Sequence, residues 1–484
     1  MIKNSLWLAI QFAISIITGF VVIKLSLNAL GAELYGVLIV FLSFWGMTGM
    51  IDFGLGTALI KFIAEKHSIG DIGAIRVILS STSLFYIAAS LLLLIFGYVL
   101  SYLAYMSTFS SVILFVDFVE ISIVLSLAFL FQYLSTFFRS ALEGISAFKI
   151  SSKINLAYNL SQVFLFTVFL SGKSSLFIVA VMYLISSIIW FGSYFSYFIF
   201  NKREILPTFS AFSFKTLREM FSLSFSVQGS YLIGAAIDPT IKFLLSNNGF
   251  TTSIPYFEVA RRAVTAISGL YSTALKVLLP KTSALVDSSK VEHFWSNSVK
   301  VLWKFGIVYG VFLLIVGMLP ISKFLVQIYG NSDIIFYLLV LSLPEIINII
   351  GYPTYMFLLG RAESKTLIYV QLVNFVLIVT GLYFSLYISN SQNGLYFYFL
   401  AVFITNFYML FVVKSKYFQK IFDFSIIKDV FKYSVLLISL CVFYISFSES
   451  IIEKSYLLVI PSILFLFMTF GDLKIVVKEV SNRF

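Results

Sequence analysis

The sequence predicts an all-α polytopic membrane protein of about 14 transmembrane helices, with two six-helix lobes related by a pseudo-two-fold axis along the membrane normal and two further C-terminal helices. Three observations lead there. Of 484 residues, 60% are hydrophobic and only 11% are charged, a balance typical of chains that live in a bilayer. The apolar residues fall into a train of long runs, and a helix needs roughly 20 of them to cross a hydrocarbon core about 30 Å thick. A faint internal repeat then relates the first half of the train to the second. A closed β-barrel would need segments of about ten residues alternating in and out, whereas these runs are longer and continuously apolar.

The first span, 5–27, follows Lys3 and is too long for a cleavable signal core, so it is expected to stay as a helix; it carries Lys24. Span two, 36–63, holds Asp52 on one face with Trp45, Thr48, Gly49 and Gly56. Spans three to six cover 77–105, 111–139, 154–171 and 175–199 and complete the first lobe, 1–200. Within them, Gln132, Ser135 and Arg139 share a face of span four, and Asn155, Asn159 and Gln162 share a face of span five. A basic cytoplasmic linker, 201–218, leads to the second lobe, 219–418. Span seven, 219–245, carries Asp238 and Lys242; span eight, 255–279, carries Glu258, Arg261 and Arg262. Span nine, 300–320, ends at Leu319-Pro320. Span ten, 333–359, has Glu345 beside Pro344 and ahead of Pro353, and two prolines in one span suggest a kink or gate. Span eleven, 366–388, presents Gln371 and Asn374 on one face, and span twelve covers 394–413. Spans thirteen and fourteen, 429–447 and 454–472, lie outside the repeat, with a cytoplasmic tail after them.

Lys and Arg concentrate in cytoplasmic loops. With both termini inside, only Lys173, Lys323 and Lys454 of the 33 basic residues are external, and four are intramembrane. The formal charge of +11 is therefore mostly a topology signal spread over every inner loop, and no nucleic-acid partner is expected. Cys441 stands alone, and His67 and His293 lack ligand spacing, so neither a disulfide nor a metal site is expected.

The repeat is read from three matches. Lys24 and Lys242 are each followed seven residues later by a glycine, Gly31 and Gly249, at an offset of 218. Thr57-Ala58-Leu59 resembles Thr273-Ala274-Leu275, and Leu142-Glu143-Gly144 resembles Leu358-Leu359-Gly360 at an offset of 216. Parallel repeats of this kind are typical of secondary transporters.

Charges inside apolar spans point to function. Lys24, Lys242, Arg261 and Arg262 are candidates for binding an anionic headgroup, because guanidinium grips phosphate oxygens in pairs. Each lysine also lies near a helix end where its stem could snorkel to the interface. Asp238 and Lys242, at i,i+4, could neutralise one another. Glu258 is expected to pair well with only one of Arg261 and Arg262, leaving the other for a ligand. Asp52, Glu345, Asp238 and Glu258 are candidates for ion coupling. Gln132, Arg139, Asn155, Asn159, Gln371 and Asn374 are candidates for lining a wet cavity, with interhelical hydrogen bonding as the alternative for any one stripe.

Ala29-Leu30-Gly31-Ala32-Glu33-Leu34-Tyr35-Gly36, Ile51-Asp52-Phe53-Gly54-Leu55-Gly56 and Ala58-Leu59-Ile60-Lys61-Phe62-Ile63-Ala64-Glu65 resemble the opening of bacterial polysaccharide-biosynthesis flippases, and Leu278-Leu279-Pro280 and Leu319-Pro320 fit the same pattern. These are the Wzx-type O-antigen and capsule repeat-unit transporters of the multidrug/oligosaccharidyl-lipid/polysaccharide exporter superfamily. The resemblance implies movement of an undecaprenyl-pyrophosphate-linked oligosaccharide across the bacterial inner membrane, from the cytoplasmic to the periplasmic leaflet, through an inter-lobe cavity. It also implies H⁺ or Na⁺ as counter-ion, membrane lipids and the polymerase machinery as partners, and no cofactor. In related lipid II flippases the first and eighth spans edge a lateral portal, and here those spans carry Lys24 and Arg261-Arg262.

Gly172-Lys173-Ser174 is not a phosphate loop, because Thr167 stands where the first glycine is needed. No soluble segment is long enough to bind ATP, so an ion gradient or product consumption would drive alternating access. A multidrug antiporter of the same superfamily is the main alternative. A glycan polymerase or ligase, an enzyme, would be expected to hold its chemistry in a large periplasmic loop, and no external loop here is long.

Overall fold

The computed structural model describes residues 2–49, 55–170, 174–275, 322–360, 363–389 and 392–417. Spans nine, thirteen and fourteen, the end of span eight, Asp52, Lys173, His293, Cys441 and Lys454 lie outside the described residues. The described chain folds as twelve α-helices with short 3₁₀ and π turns, and the all-α class is as the sequence predicts. Six of the described helices are long and apolar enough to cross a membrane. By its contacts the chain divides into two compact units, Met1–Arg262 with Val379–Gln392, and Ala263–Ile378 with Asn393–Phe484.

In the first unit, α1 (Ile2–Gly49) runs through the predicted break between spans one and two, bending at Gly31. Gly31 has φ 76° and ψ 173°, a region open essentially to glycine alone. Gly249, its partner in the repeat, also has positive φ, 86°. Predicted span two is thus shared between the C-terminal half of α1 and α2 (Leu55–Ser68). Next come α3 (Ile72–Ala104), α4 (Phe115–Gly144), α5 (Phe148–Phe169) and α6 (Leu176–Asn201). Asp71 caps α3 by accepting from the Ala74 amide at 2.8 Å, and Ser175 caps α6 by accepting from Ile178.

α4 packs along α6, and α1 packs along α5. Leu59, Ile63, Leu79, Tyr86, Phe137 and Phe198 are buried in one core cluster. Leu92, Ile95 and Leu103 on α3, and Leu160 and Phe164 on α5, stay exposed. In water so much apolar surface would demand a partner; in a bilayer it is the solvent-facing side.

Predicted linker 201–218 is pinned rather than loose. The Thr208 amide donates to Ser80 Oγ at 3.0 Å and the Ser213 amide to Ser81 Oγ at 2.9 Å, tying it to α3. Ser213 also accepts from the Thr216 amide, which starts α7 (Phe214–Asn247) five residues ahead of the apolar boundary at 219. A Schellman turn ends α7: the Phe250 amide donates to the Leu245 carbonyl and the Gly249 amide to that of Ser246. Helix α8 (Ile254–Leu275) follows directly.

The second unit contributes α9 (Ser322–Tyr329), α10 (Asp333–Gly360) and α12 (Tyr396–Tyr417), and α11 (Ser364–Ser389) begins in it. α10 packs against α12. Gly351 makes that approach tight, because a Cβ there would collide with the buried Asn406 side-chain amide. Asn406 Nδ2 donates to the Val402 carbonyl at 2.8 Å and reaches Asn348 Oδ1 at 3.4 Å.

Candidate functional site

Inside the first unit, the turn between α7 and α8 brings the start of α8, up to Arg262, beside α7 and sets their charged residues together. On α7, Asp238 and Lys242 are one turn apart. On α8, Arg261 and Arg262 follow Glu258 by three and four residues, so all three share a face. Lys242 Nζ contacts Asp238 Oδ2 at 2.8 Å, Glu258 Oε2 at 2.7 Å and Ser43 Oγ of α1 at 2.9 Å. Three partners match the three ammonium hydrogens. Its side chain is 2% exposed, so Lys242 is a buried ion rather than one snorkelling to the interface.

Glu258 is the hub. Its Oε1 accepts from Arg261 Nη2 at 3.0 Å and Arg262 Nε at 2.8 Å; its Oε2 accepts from Lys242 Nζ and from Arg261 Nε at 3.0 Å. The sequence-based expectation that Glu258 could pair well with only one arginine is therefore corrected. A carboxylate offers about four lone-pair sites, and all are engaged by three cations. Asp238 Oδ1 lies 3.0 Å from Arg261 Nε, but the single Nε hydrogen is directed at Glu258, so this is an ion pair without a hydrogen bond.

Three cations against two carboxylates leave the cluster one positive charge in surplus. That surplus is unevenly buried: Glu258 is 5% exposed, whereas Arg261 and Arg262 are 33% and 43% exposed. Arg262 lies against Gly19 of α1, where an added Cβ would strike Nη1 of its guanidinium. Such an arrangement can hold an anion with paired, charge-assisted hydrogen bonds while its own ions stay fixed from behind.

The other predicted residues fall elsewhere. Lys24 is half-buried on α1, five residues beyond Gly19. Glu345 is half-buried on α10, and Gln371 and Asn374 are half-buried on α11. The polar stripe of α4 meets α6, where Gln132 Nε2 donates to Ser187 Oγ at 3.0 Å, and on α5 Gln162 Nε2 donates to Tyr158 Oη of the same helix at 2.9 Å. Asn155 Oδ1 accepts from Trp190 Nε1 at 2.9 Å and Tyr194 Oη at 3.0 Å. Asn159 is buried beside them on α5. Arg139 Nε pairs with Glu143 Oε1 at 2.8 Å, and Ser151 reaches the same oxygen. Ser43 and Gly19 were not expected at the site; neither residue type in an apolar run carries a signal of its own. Among the described residues, no three His, Cys, Asp or Glu side chains come together as a metal site.

Residues 1–286 match the family described as polysaccharide biosynthesis protein. No curated protein sequence matches the chain. Among solved structures, the lipid II flippase MurJ in an inward closed conformation is similar with a TM-score of 0.67 at 18% identity, covering 98% of this chain and 100% of MurJ. An inward-facing multidrug resistance MATE family transporter of the MOP superfamily is similar with a TM-score of 0.64 at 14% identity, covering 87% and 94%. At these identities the likeness is one of fold. With its apolar helices, this makes the chain a multi-pass membrane protein with the fold of those transporters, and the family match over more than half its length makes it a member of the polysaccharide biosynthesis protein family.

Proposed function

We propose that the protein is a flippase that moves undecaprenyl-pyrophosphate-linked oligosaccharide repeat units from the cytoplasmic to the outer leaflet of the bacterial inner membrane. The observation that carries this reading is the surplus positive charge held by Arg261 and Arg262 over the Glu258 hub, inside a chain that spans the membrane. Two half-exposed guanidinium groups backed by buried ions suit a diphosphate, which accepts forked hydrogen bonds. Lys242 neutralises the hub, and Lys24 stands on the neighbouring stretch of α1 as a further cation for the headgroup. Family membership and the likeness to a structure named as a lipid II flippase support the same cargo class.

Transport proceeds by alternating access of the lobes 1–200 and 219–418, with both termini cytoplasmic and H⁺ or Na⁺ moving in antiport. Asp52, Glu345, Asp238 and Glu258 are the carboxylates proposed for coupling. The experiment is to delete the protein and find which leaflet holds the unpolymerised repeat unit. Build-up on the cytoplasmic side is expected. Build-up on the outer side would instead point to a polymerase or ligase. A multidrug antiporter is the second reading, favoured by the likeness to a multidrug resistance transporter, and no build-up in either leaflet would bring it forward.

A further inference from the structure

Inside the first unit, α1, α3, α4 and α6 line a part-open cavity of about 180 Å³ whose walls include Trp45, Ser90, Gln132, Tyr133, Thr136 and Trp190. We propose that this cavity is a binding subsite for one uncharged pyranose ring of the cargo. This rests on the reading that the cargo carries an oligosaccharide, and it adds a place where a sugar, rather than the pyrophosphate, is recognised.

Charge comes first. None of the lining residues is an acid or a base. An ion placed here would lose its hydration without a counter-charge, which is strongly unfavourable. The diphosphate is therefore excluded as an occupant, and walls without charge suit a neutral one.

The walls are set in advance. Trp190 is fixed by its Nε1–H bond to Asn155 and by stacking on Tyr158, with ring centres 4.6 Å apart and planes 20° apart. Trp45 packs against Gly97 of α3, where any Cβ would collide with the indole, and stacks with Phe129 at 5.9 Å. Trp190, half-buried, offers a rigid aromatic surface at little cost in side-chain freedom, while Trp45, 1% exposed, closes the wall behind.

Three of the polar groups are biased to one role. Thr136 Oγ1 donates to the Tyr133 carbonyl at 2.6 Å, and Ser90 Oγ donates to the Ile87 carbonyl at 2.7 Å. Gln132 donates from its amide nitrogen to Ser187 Oγ and, at 3.5 Å, to Tyr158 Oη. What each keeps for a ligand is an acceptor lone pair. Neutral acceptors beside aromatic faces suit a molecule with apolar C–H faces and a rim of hydroxyl donors, which is the chemistry of a sugar ring. At about 180 Å³ the space has room for one ring.

The test uses the full-length protein in lipid nanodiscs, titrated with glucose, galactose and N-acetylglucosamine while tryptophan fluorescence is followed. A saturable change with at least one sugar is expected, with binding roughly three- to tenfold weaker in Trp190→Leu and largely retained in Trp190→Phe. Thr136→Leu, which fills the cavity and leaves the tryptophans in place, is expected to abolish the change and serves if Trp190→Leu fails to fold. Absence of a saturable sugar response in the parent protein would overturn the proposal. So would quenching of Trp190 by brominated acyl chains that sugars do not relieve, since the cavity would then hold lipid. The leaflet assay separates the two levels: cytoplasmic build-up on deletion with no sugar binding sinks the subsite alone, whereas sugar binding without build-up sinks the flippase reading.

Discussion

Replacing Glu258 by glutamine keeps the shape of the hub and removes its charge. The parent carboxylate accepts four hydrogen bonds from Lys242, Arg261 and Arg262. A glutamine carbonyl cannot accept all four, and its NH₂ group would face donors. The two arginines are a third or more exposed, so water screens their share to about 0–1 kcal/mol each. Lys242 is different: it is 2% exposed and sits 2.7 Å from Glu258. Removing one partner of a buried pair costs about 3–5 kcal/mol, and Asp238, still 2.8 Å from the ammonium, places this case at the lower end. With an unfolding entropy of about 1 kcal/mol/K for a chain of 484 residues, about 3 kcal/mol corresponds to a fall of roughly 3 °C in melting temperature. The assay is thermal melting of the purified protein in detergent for Glu258→Gln, Lys242→Met and the double variant. The double variant is expected to recover part of the loss, because the buried ammonium is gone. A Glu258→Gln protein melting with its parent, or strictly additive losses, would refute the hub.

Alanine at both Arg261 and Arg262 is expected to abolish export of the repeat unit while membrane expression stays normal; normal export would sink the headgroup assignment. Gly19→Ala is expected to leave melting nearly unchanged, because the colliding atom is the end of a flexible side chain, yet to lower transport by displacing the Arg262 guanidinium. Gly31→Ala is expected to destabilise by about 1–3 kcal/mol, seen as a lower melting temperature, since φ 76° with ψ 173° suits glycine alone. Gly351→Ala is expected to cost about 1–3 kcal/mol through overpacking, with partial recovery on adding Asn406→Ala.

Much of the architecture was legible in the sequence because a bilayer imposes a coarse rule, and runs such as 77–105 or 175–199 satisfy it visibly. The boundaries were less legible. Hydropathy alone puts the start of span seven at 219, whereas Ser213 starts the helix at Phe214 with a side-chain bond that hydropathy does not register. At the site, the i,i+3 and i,i+4 spacings brought Glu258 together with both arginines, and Asp238 with Lys242. Joining the two groups required the α7–α8 turn, and the Ser43 contact spans 199 positions, so neither was readable from local spacing. Helical periodicity likewise put Asn155, Asn159 and Gln162 on one face. It could not say that Trp190 and Tyr194 of α6 would meet Asn155 there.

The cations at the α7–α8 hairpin never stand bare, because Asp238 and Glu258 are built-in competitors for them. An arriving anion would share the guanidinium groups with these carboxylates rather than hold them alone, which caps how tightly it can be bound. The same carboxylates stay at hydrogen-bond distance from the arginines when it leaves. A conduit needs entry that is favourable and exit that is not too costly, and a receptor that carries its own rival anion has release built into its resting state.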